Sequence, residues 1–335
     1  MVKKLSVEVR KIQRTADGTY MLSLPKNWAK RFNLKRGSPI YLRERSDGCL
    51  VLDPEYAVEV SPEITLKASE RLEDRILSSY LLGYELILVQ APRVTEELMK
   101  RIKRVVARLI GVEIIEESPQ TVVLQCLLKA SASPPEKILR RQYVLSSSLC
   151  RDALSHLVDF DVEKAALVRA RDEEIDRLYF LLVRLLRSLI LNPRLSEKLN
   201  ISLIDCLDYR LIASLIENMA DEAVKIAEST VAMGAEGRLP PELTQAIASF
   251  QESFQAAFEE AMRALFSKDE RLQTSALRKK AESQRALEKI KETFTLYQQQ
   301  TPPAFYNLIF LFDQIVDYLT DMIDLVTPSP PPKTS

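Results

Sequence analysis

Residues 312–324 read FDQIVDYLTDMID. Asp313, Asp317 and Asp321 recur every fourth residue, and Asp324 follows three later. That spacing sets four acids in one row along a helix, while Phe312, Ile315, Val316, Leu319 and Met322 form an apolar stripe. Like charges one turn apart repel by roughly 0.2–0.5 kcal/mol per pair. A row that works against its own helix calls for a counter-charge, and the chain holds a matching row.

One lies 96 residues upstream. Ile212, Ile216, Met219 and Ala223 fall on Leu308, Phe312, Ile315 and Leu319, while Glu217 falls on Asp313 and Asp221 on Asp317. Any two amphipathic helices share apolar registry; shared acid pairs say more. From Glu136 to Val326 the pattern is helical throughout, with breaks at Asn192-Pro193, Gly234 to Pro241 and Thr301-Pro302-Pro303. Weaker breaks fall before Asp161 and near Lys268. This predicts six long helices over 136–327, arranged as two three-helix units in tandem. The Pro/Ser-rich tail, 328–335, is expected to be disordered.

At 100° per residue the acid pairs sit roughly 120–160° from the centre of the apolar stripe, on the outer face of each bundle. Two readings follow: a solvated helix surface, or a surface metal site in which carboxylates on neighbouring helices clamp a cation. Asp172 and Asp176, in ARDEEID on the second long helix, can face Glu217 and Asp221. In the second repeat an offset of 108 residues puts Lys280 and Gln284 at the positions of Asp172 and Asp176. A complete site is therefore expected in the first repeat, with Lys280 neutralising Asp313 and Asp317 in the second. Oxygen ligands favour Mg, Mn or iron over a Cys/His zinc site.

The front of the chain has a different rhythm. Leu5, Val7 and Val9 alternate with polar neighbours, Ala16-Asp17-Gly18 reads as a turn, and Tyr20 to Leu24 as a return strand. Pro25 opens a helix over 25–34. A second hairpin, Pro39 to Arg45 and Cys49 to Asp53, turns at Ser46-Asp47-Gly48. Such a unit over 1–57 is small for a self-sufficient core and is expected to pair with a second copy. It carries twelve basic and six acidic residues, a surplus of six in a chain whose net charge is zero. A cationic head on an anionic body points to a polyanion: DNA, RNA or a membrane surface.

Residues 60–131 alternate strands (64–66, 86–89, 112–115, 122–128) with helices (69–82 and 95–110, the latter capped by Thr95 and stopped by Gly111). That is a small α/β sandwich, fit for a spacer, a dimerisation unit or a ligand-sensing module. Seven glycines make no phosphate-binding loop, and the lone His156 excludes histidine triads and His-rich zinc sites. Four scattered cysteines, with no signal peptide and no apolar run of spanning length, favour a cytoplasmic protein without membrane insertion. The chain is expected to be no enzyme.

ALVRARDEEIDRL, IENMADEAVKIAE and FDQIVDYLTDMID together resemble the PhoU domain. The resemblance implies two three-helix repeats, a role in phosphate uptake, and metal clusters on the bundle surface. By motif position it assigns Asp172, Asp176, Glu217, Asp221, Asp313 and Asp317 to a divalent or trivalent ion: iron, Mn, Mg or Zn. VRKIQRTADGTYMLSLPKNWAKRFNLKRGSPIYL with the later DGCLVLDP resembles the AbrB/SpoVT swapped-hairpin DNA-binding domain. That implies a homodimer on double-stranded DNA, with contacts at Arg10, Lys11, Lys30 and Arg31 and a further one at Arg14. The pairing is similar to PhoU-like transcriptional regulators of archaea. The expectation is therefore a multi-domain regulator of phosphate homeostasis: a β-rich head, a small α/β sandwich and tandem helical bundles. The competing expectation is an adaptor that contacts a phosphate transporter or sensor kinase.

Overall fold

The computed structural model describes residues 8–44, 48–54, 62–129 and 134–326. Two compact units emerge, Met1–Val60 and Ser61–Ser335.

The first unit is two small hairpins and a short helix. β1 (Gln13–Arg14) pairs antiparallel with β2 (Tyr20–Met21), and β3 (Tyr41–Glu44) with β4 (Leu50–Asp53). Gly18 turns the first hairpin at a φ of 91°, a conformation free of strain only for glycine. Between the hairpins, α1 (Lys26–Arg31) starts after Pro25 and tilts Trp28 onto Phe32 at 5.3 Å. The strand predicted over 5–9 is not observed at residues 8–9, and its remainder lies outside the described residues. A strand needs a partner, and among the described residues before the turn Gln13 and Arg14 alone find one, in β2. Ser46 and Asp47 of the second turn, and the tail, also lie outside the described residues.

The second unit begins with a four-stranded mixed sheet, in the order β5 (Glu63–Lys67), β6 (Leu86–Gln90), β8 (Thr121–Cys126), β7 (Val112–Glu117). β5 and β6 are parallel, so the chain crosses over through α2 (Leu72–Leu81); α3 (Glu96–Ala107) links β6 to β7. Leu66, Leu72, Ile76, Tyr80, Ile102 and Leu124 fill the layer between sheet and helices. Thr95 caps α3 by accepting a hydrogen bond from the Leu98 amide at 3.2 Å. Thr95→Ala is expected to lower stability by about 1 kcal/mol, read as a lower urea midpoint at an unchanged slope.

Behind it stand the six long helices: α4 (Pro135–Asp159), α6 (Arg169–Leu191), α8 (Leu203–Met233), α9 (Pro241–Ser267), α10 (Glu270–Tyr297) and α11 (Phe305–Asp324). Short α5 (Val162–Ala165) and α7 (Pro193–Lys198) fill two connections. The weak breaks are real: Phe160 and Lys268 take left-handed backbone, and Asp161 and Asp269 cap the helices that follow. α4, α6 and α8 pack together, α10 packs on both α9 and α11, and the two sets join through α8–α11 and α4–α9. Phe250 bridges α9 to Phe312 of α11 at 5.4 Å.

The sheet layer and the helices meet along α6. Arg184, only 4% exposed, donates to the carbonyls of Tyr80 at 2.6 Å, Tyr84 at 2.9 Å and Gly83 at 3.2 Å. Its guanidinium also lies 4.9 Å from the centre of the Tyr80 ring. The turn it grips needs Gly83, which holds a φ of 93° and comes close to Ser188.

Candidate metal centre and nucleic-acid interface

The first acidic cluster lies on the seam between α6 and α8. α4 holds α8 in place by a polar ladder: Gln142 Nε2 donates to the Ala213 carbonyl at 3.0 Å, Ser146 Oγ to Ile216 at 3.0 Å, and Cys150 Sγ to Met219 at 3.6 Å. That fixes the face from which Glu217 and Asp221 emerge. Across the seam α6 presents Asp172 and Asp176. All four carboxylates are half-buried, more enclosed than the solvated-surface reading of their outer position implies. The cause is the neighbouring helix: a position far from one helix's apolar stripe can still flank its partner.

Burial and mutual repulsion push these acids up together. Asp172 rises to about 7, chiefly by burial and then by the charges of Asp176 and Asp221. Glu217 also rises to about 7, by burial and then Asp221, Asp176 and Asp172. Asp176 and Asp221 move the same way, burial leading in both. The nearest relief for Asp176 is Arg108, just past α3, whose Nη2 stands 3.9 Å from its Oδ2. Arg108 also stacks over Phe180, one turn along α6, at 5.3 Å. Neither Arg108 nor Arg184 stands out in the sequence as part of this region, though an arginine inside the apolar run YFLLVRLLRSLIL is a signal worth following.

Asp172 Oδ1 is buried and has no hydrogen-bond partner. A buried oxygen without a donor is rare in folded proteins; a proton or a cation would satisfy it. Four carboxylates without histidine or cysteine suit an oxygen-preferring ion such as Mg, Mn or iron, so the residues fit the group. As placed, no three His, Cys, Asp or Glu side chains among the described residues stand close enough to share one ion. Binding therefore requires the carboxylates to swing together about their own torsions.

The second repeat is built differently. Asp313 is paired at 2.8 Å with Lys291, not with Lys280. α10 and α11 run antiparallel across the short connection 298–304, and that connection brings Lys291, about three turns beyond Lys280, level with Asp313. The register between α10 and α11 therefore differs from the one the 108-residue offset implies. Gln284 is exposed, as are Asp317, Asp321 and Asp324. The opening row of acids is thus relieved partly by solvent and partly by a lysine.

In the first unit, Arg10, Lys11, Arg14, Lys30 and Arg31 are all exposed. Arg14 lies over the Tyr20 ring at 5.6 Å and Arg31 over Phe32 at 5.0 Å; Arg10 pairs with Glu8. These contacts hold guanidinium groups near ring faces while leaving their charge in solvent. No described residue of this unit is buried. Val9 is 89% exposed, Tyr20 70% and Leu42 64%.

The profile of the PhoU domain matches residues 139–230, from α4 to the end of α8. Asp172, Asp176, Glu217 and Asp221 lie inside that stretch; Asp313 and Asp317 lie beyond it. A second profile, antidote-toxin recognition MazE, bacterial antitoxin, matches residues 13–57. It takes in Arg14, Lys30 and Arg31 and begins after Arg10 and Lys11. No curated protein matches the sequence. Among solved structures, PhoU from Pseudomonas aeruginosa superposes with a TM-score of 0.51 at 20% identity, covering 59% of this chain and 95% of its own. The phosphate transport system regulatory protein PhoU from Streptococcus pneumoniae gives 0.49 at 17% identity, covering 57% and 91%. No described helix is long and apolar enough to cross a membrane. The chain therefore carries a PhoU domain over residues 139–230 behind a MazE/AbrB-type domain over residues 13–57.

Proposed function

We propose that this protein is a homodimeric, non-enzymatic transcription regulator of phosphate uptake in the cytoplasm. Its head grips double-stranded DNA, and its helical body takes the signal at Asp172, Asp176, Glu217 and Asp221. The observation that carries this reading is the state of the head. All five candidate cations stand in solvent, and the apolar residues beside them stand there too. A unit in which no described residue is fully buried gains from a second copy, and two-fold pairing sets two cationic faces along one duplex. Arg10 and Arg14 are the natural readers of guanine edges; Lys11, Lys30 and Arg31 hold phosphates.

At the seam, a bound cation would supply the positive charge that four carboxylates lack and a coordination position for phosphate. The chain's own part is to hold the acids half-buried, and α4 does so through its ladder to α8. Arg108 leaves or keeps Asp176 according to the charge at the seam, and Arg108 belongs to the sheet layer.

The test is a mobility shift with a pool of random 30-base-pair duplexes. Arg10→Ala/Lys30→Ala/Arg31→Ala is expected to weaken binding by about tenfold or more and to flatten its salt dependence. Binding with unchanged affinity and salt slope overturns the assignment of the head.

A further inference from the structure

We propose that Lys291 occupies, in the second helical repeat, the place that a metal ion takes in the first, so that the protein has one cation site rather than two. This rests on the reading of Asp172, Asp176, Glu217 and Asp221 as that first site.

Asp313 is the residue that aligns with Glu217. Across the seam from Glu217 stand two acids, Asp172 and Asp176, whose charges act on it. Across from Asp313 stands Lys291. Its Nζ lies 2.8 Å from Asp313 Oδ1 and 2.9 Å from Glu288 Oε1. One ammonium thus spans two carboxylates on two helices, which is the geometry asked of a bridging ion, and it offers three donors in place of coordination bonds.

The two repeats differ in what is left unsatisfied. In the first, Arg108 reaches one acid at 3.9 Å, and Asp172 Oδ1 keeps no partner. In the second, Asp313 and Glu288 both have theirs. A tethered ammonium also competes from a high effective concentration, so a free cation must displace a group that never leaves. Without Lys291, Glu288 and Asp313 face each other uncompensated, with Asp317 one turn further along α11. The second site is therefore closed by the chain itself.

The experiment counts Mn(II) bound per chain by equilibrium dialysis and elemental analysis on the full-length protein. Lys291→Ala and Lys291→Met are compared with the parent; the methionine keeps the aliphatic stem and hence the packing. Both are expected to bind at least one Mn(II) per chain more than the parent. Lys291→Arg is expected to match the parent, and adding Asp313→Asn to Lys291→Ala to remove the gain. Equal counts in the parent and both neutral variants overturn the proposal. So does a parent whose own count falls on Asp313→Asn. The first site is judged separately, by whether the parent's count falls on Asp172→Asn. A parent without bound Mn(II) beside variants that gain it removes the first site and leaves the closure by Lys291 standing.

Discussion

Arg184→Ala lowers the stability of the second unit by about 3 kcal/mol or more in urea denaturation. Arg184 is buried and is shared by three carbonyls at the α2–β6 turn. Hydrogen bonds from a charged donor are each worth about 1.5–3 kcal/mol, and of the carbonyls left behind, that of buried Tyr80 has the least access to water. Truncation also removes the guanidinium from the Tyr80 ring. Arg184→Lys keeps the charge but not the planar fork, so it is expected to recover only part of the loss. Amide exchange should quicken first in α2 and β6, because those elements end at the carbonyls concerned. A loss below about 1 kcal/mol would mean that other contacts hold the sheet layer to α6.

The second large effect is one of pH. Asp172 and Glu217 both stand at about 7 in the fold, against ordinary values of 3.8 and 4.5. Because the folded values are raised, the fold holds more protons than the unfolded chain between pH 4 and pH 7. Their contribution is fully present below about pH 4 and is lost as pH rises through 7. The full shift at Asp172 corresponds to about 4 kcal/mol; partial solvent access brings this to about 2 kcal/mol. With chelator present, Asp172→Asn is therefore expected to be more stable than the parent by about 2 kcal/mol at pH 8 and equal to it near pH 4. The difference between variant and parent is the proper readout, because other groups titrate with the opposite sign. Glu73, held down to about 2 by Arg101, stabilises the fold at neutral pH and loses that effect in acid. Mn(II) at pH 8 should stabilise the parent and leave the variant where it was. A variant no more stable than its parent at pH 8 would show that the Asp172 carboxylate meets no penalty at the seam.

Much of this architecture is legible in the sequence, for a local reason. The sheet layer declares itself because each strand and helix carries its own apolar period, and Thr95 caps α3 where a cap is expected. Several of the long helices are likewise bounded by local signals, α4 and α9 by prolines, α8 by Ser202 and α10 by Asp269. The acid pairs can also be located, because Glu217 and Asp221 repeat as Asp313 and Asp317. What cannot be read locally is register between helices. Lys291 rather than Lys280 meets Asp313, a register between α10 and α11 that no local pattern declares. The half-burial of Asp172 depends likewise on how close α8 lies to α6. Arg108 is a plain surface residue of α3's exit until the sheet layer docks on α6. In the head, the pattern over 5–9 promises a strand, yet among the described residues pairing starts at Gln13.

The lack of any fully buried residue among the described residues of the head has a consequence for dosage. If two chains must interleave before either head has a core, the concentration of DNA-competent protein rises as the square of chain concentration until pairing saturates. The regulator would then remain silent when scarce and engage abruptly when abundant. The helical body, with its own large core, would stay folded and able to receive its signal at either extreme.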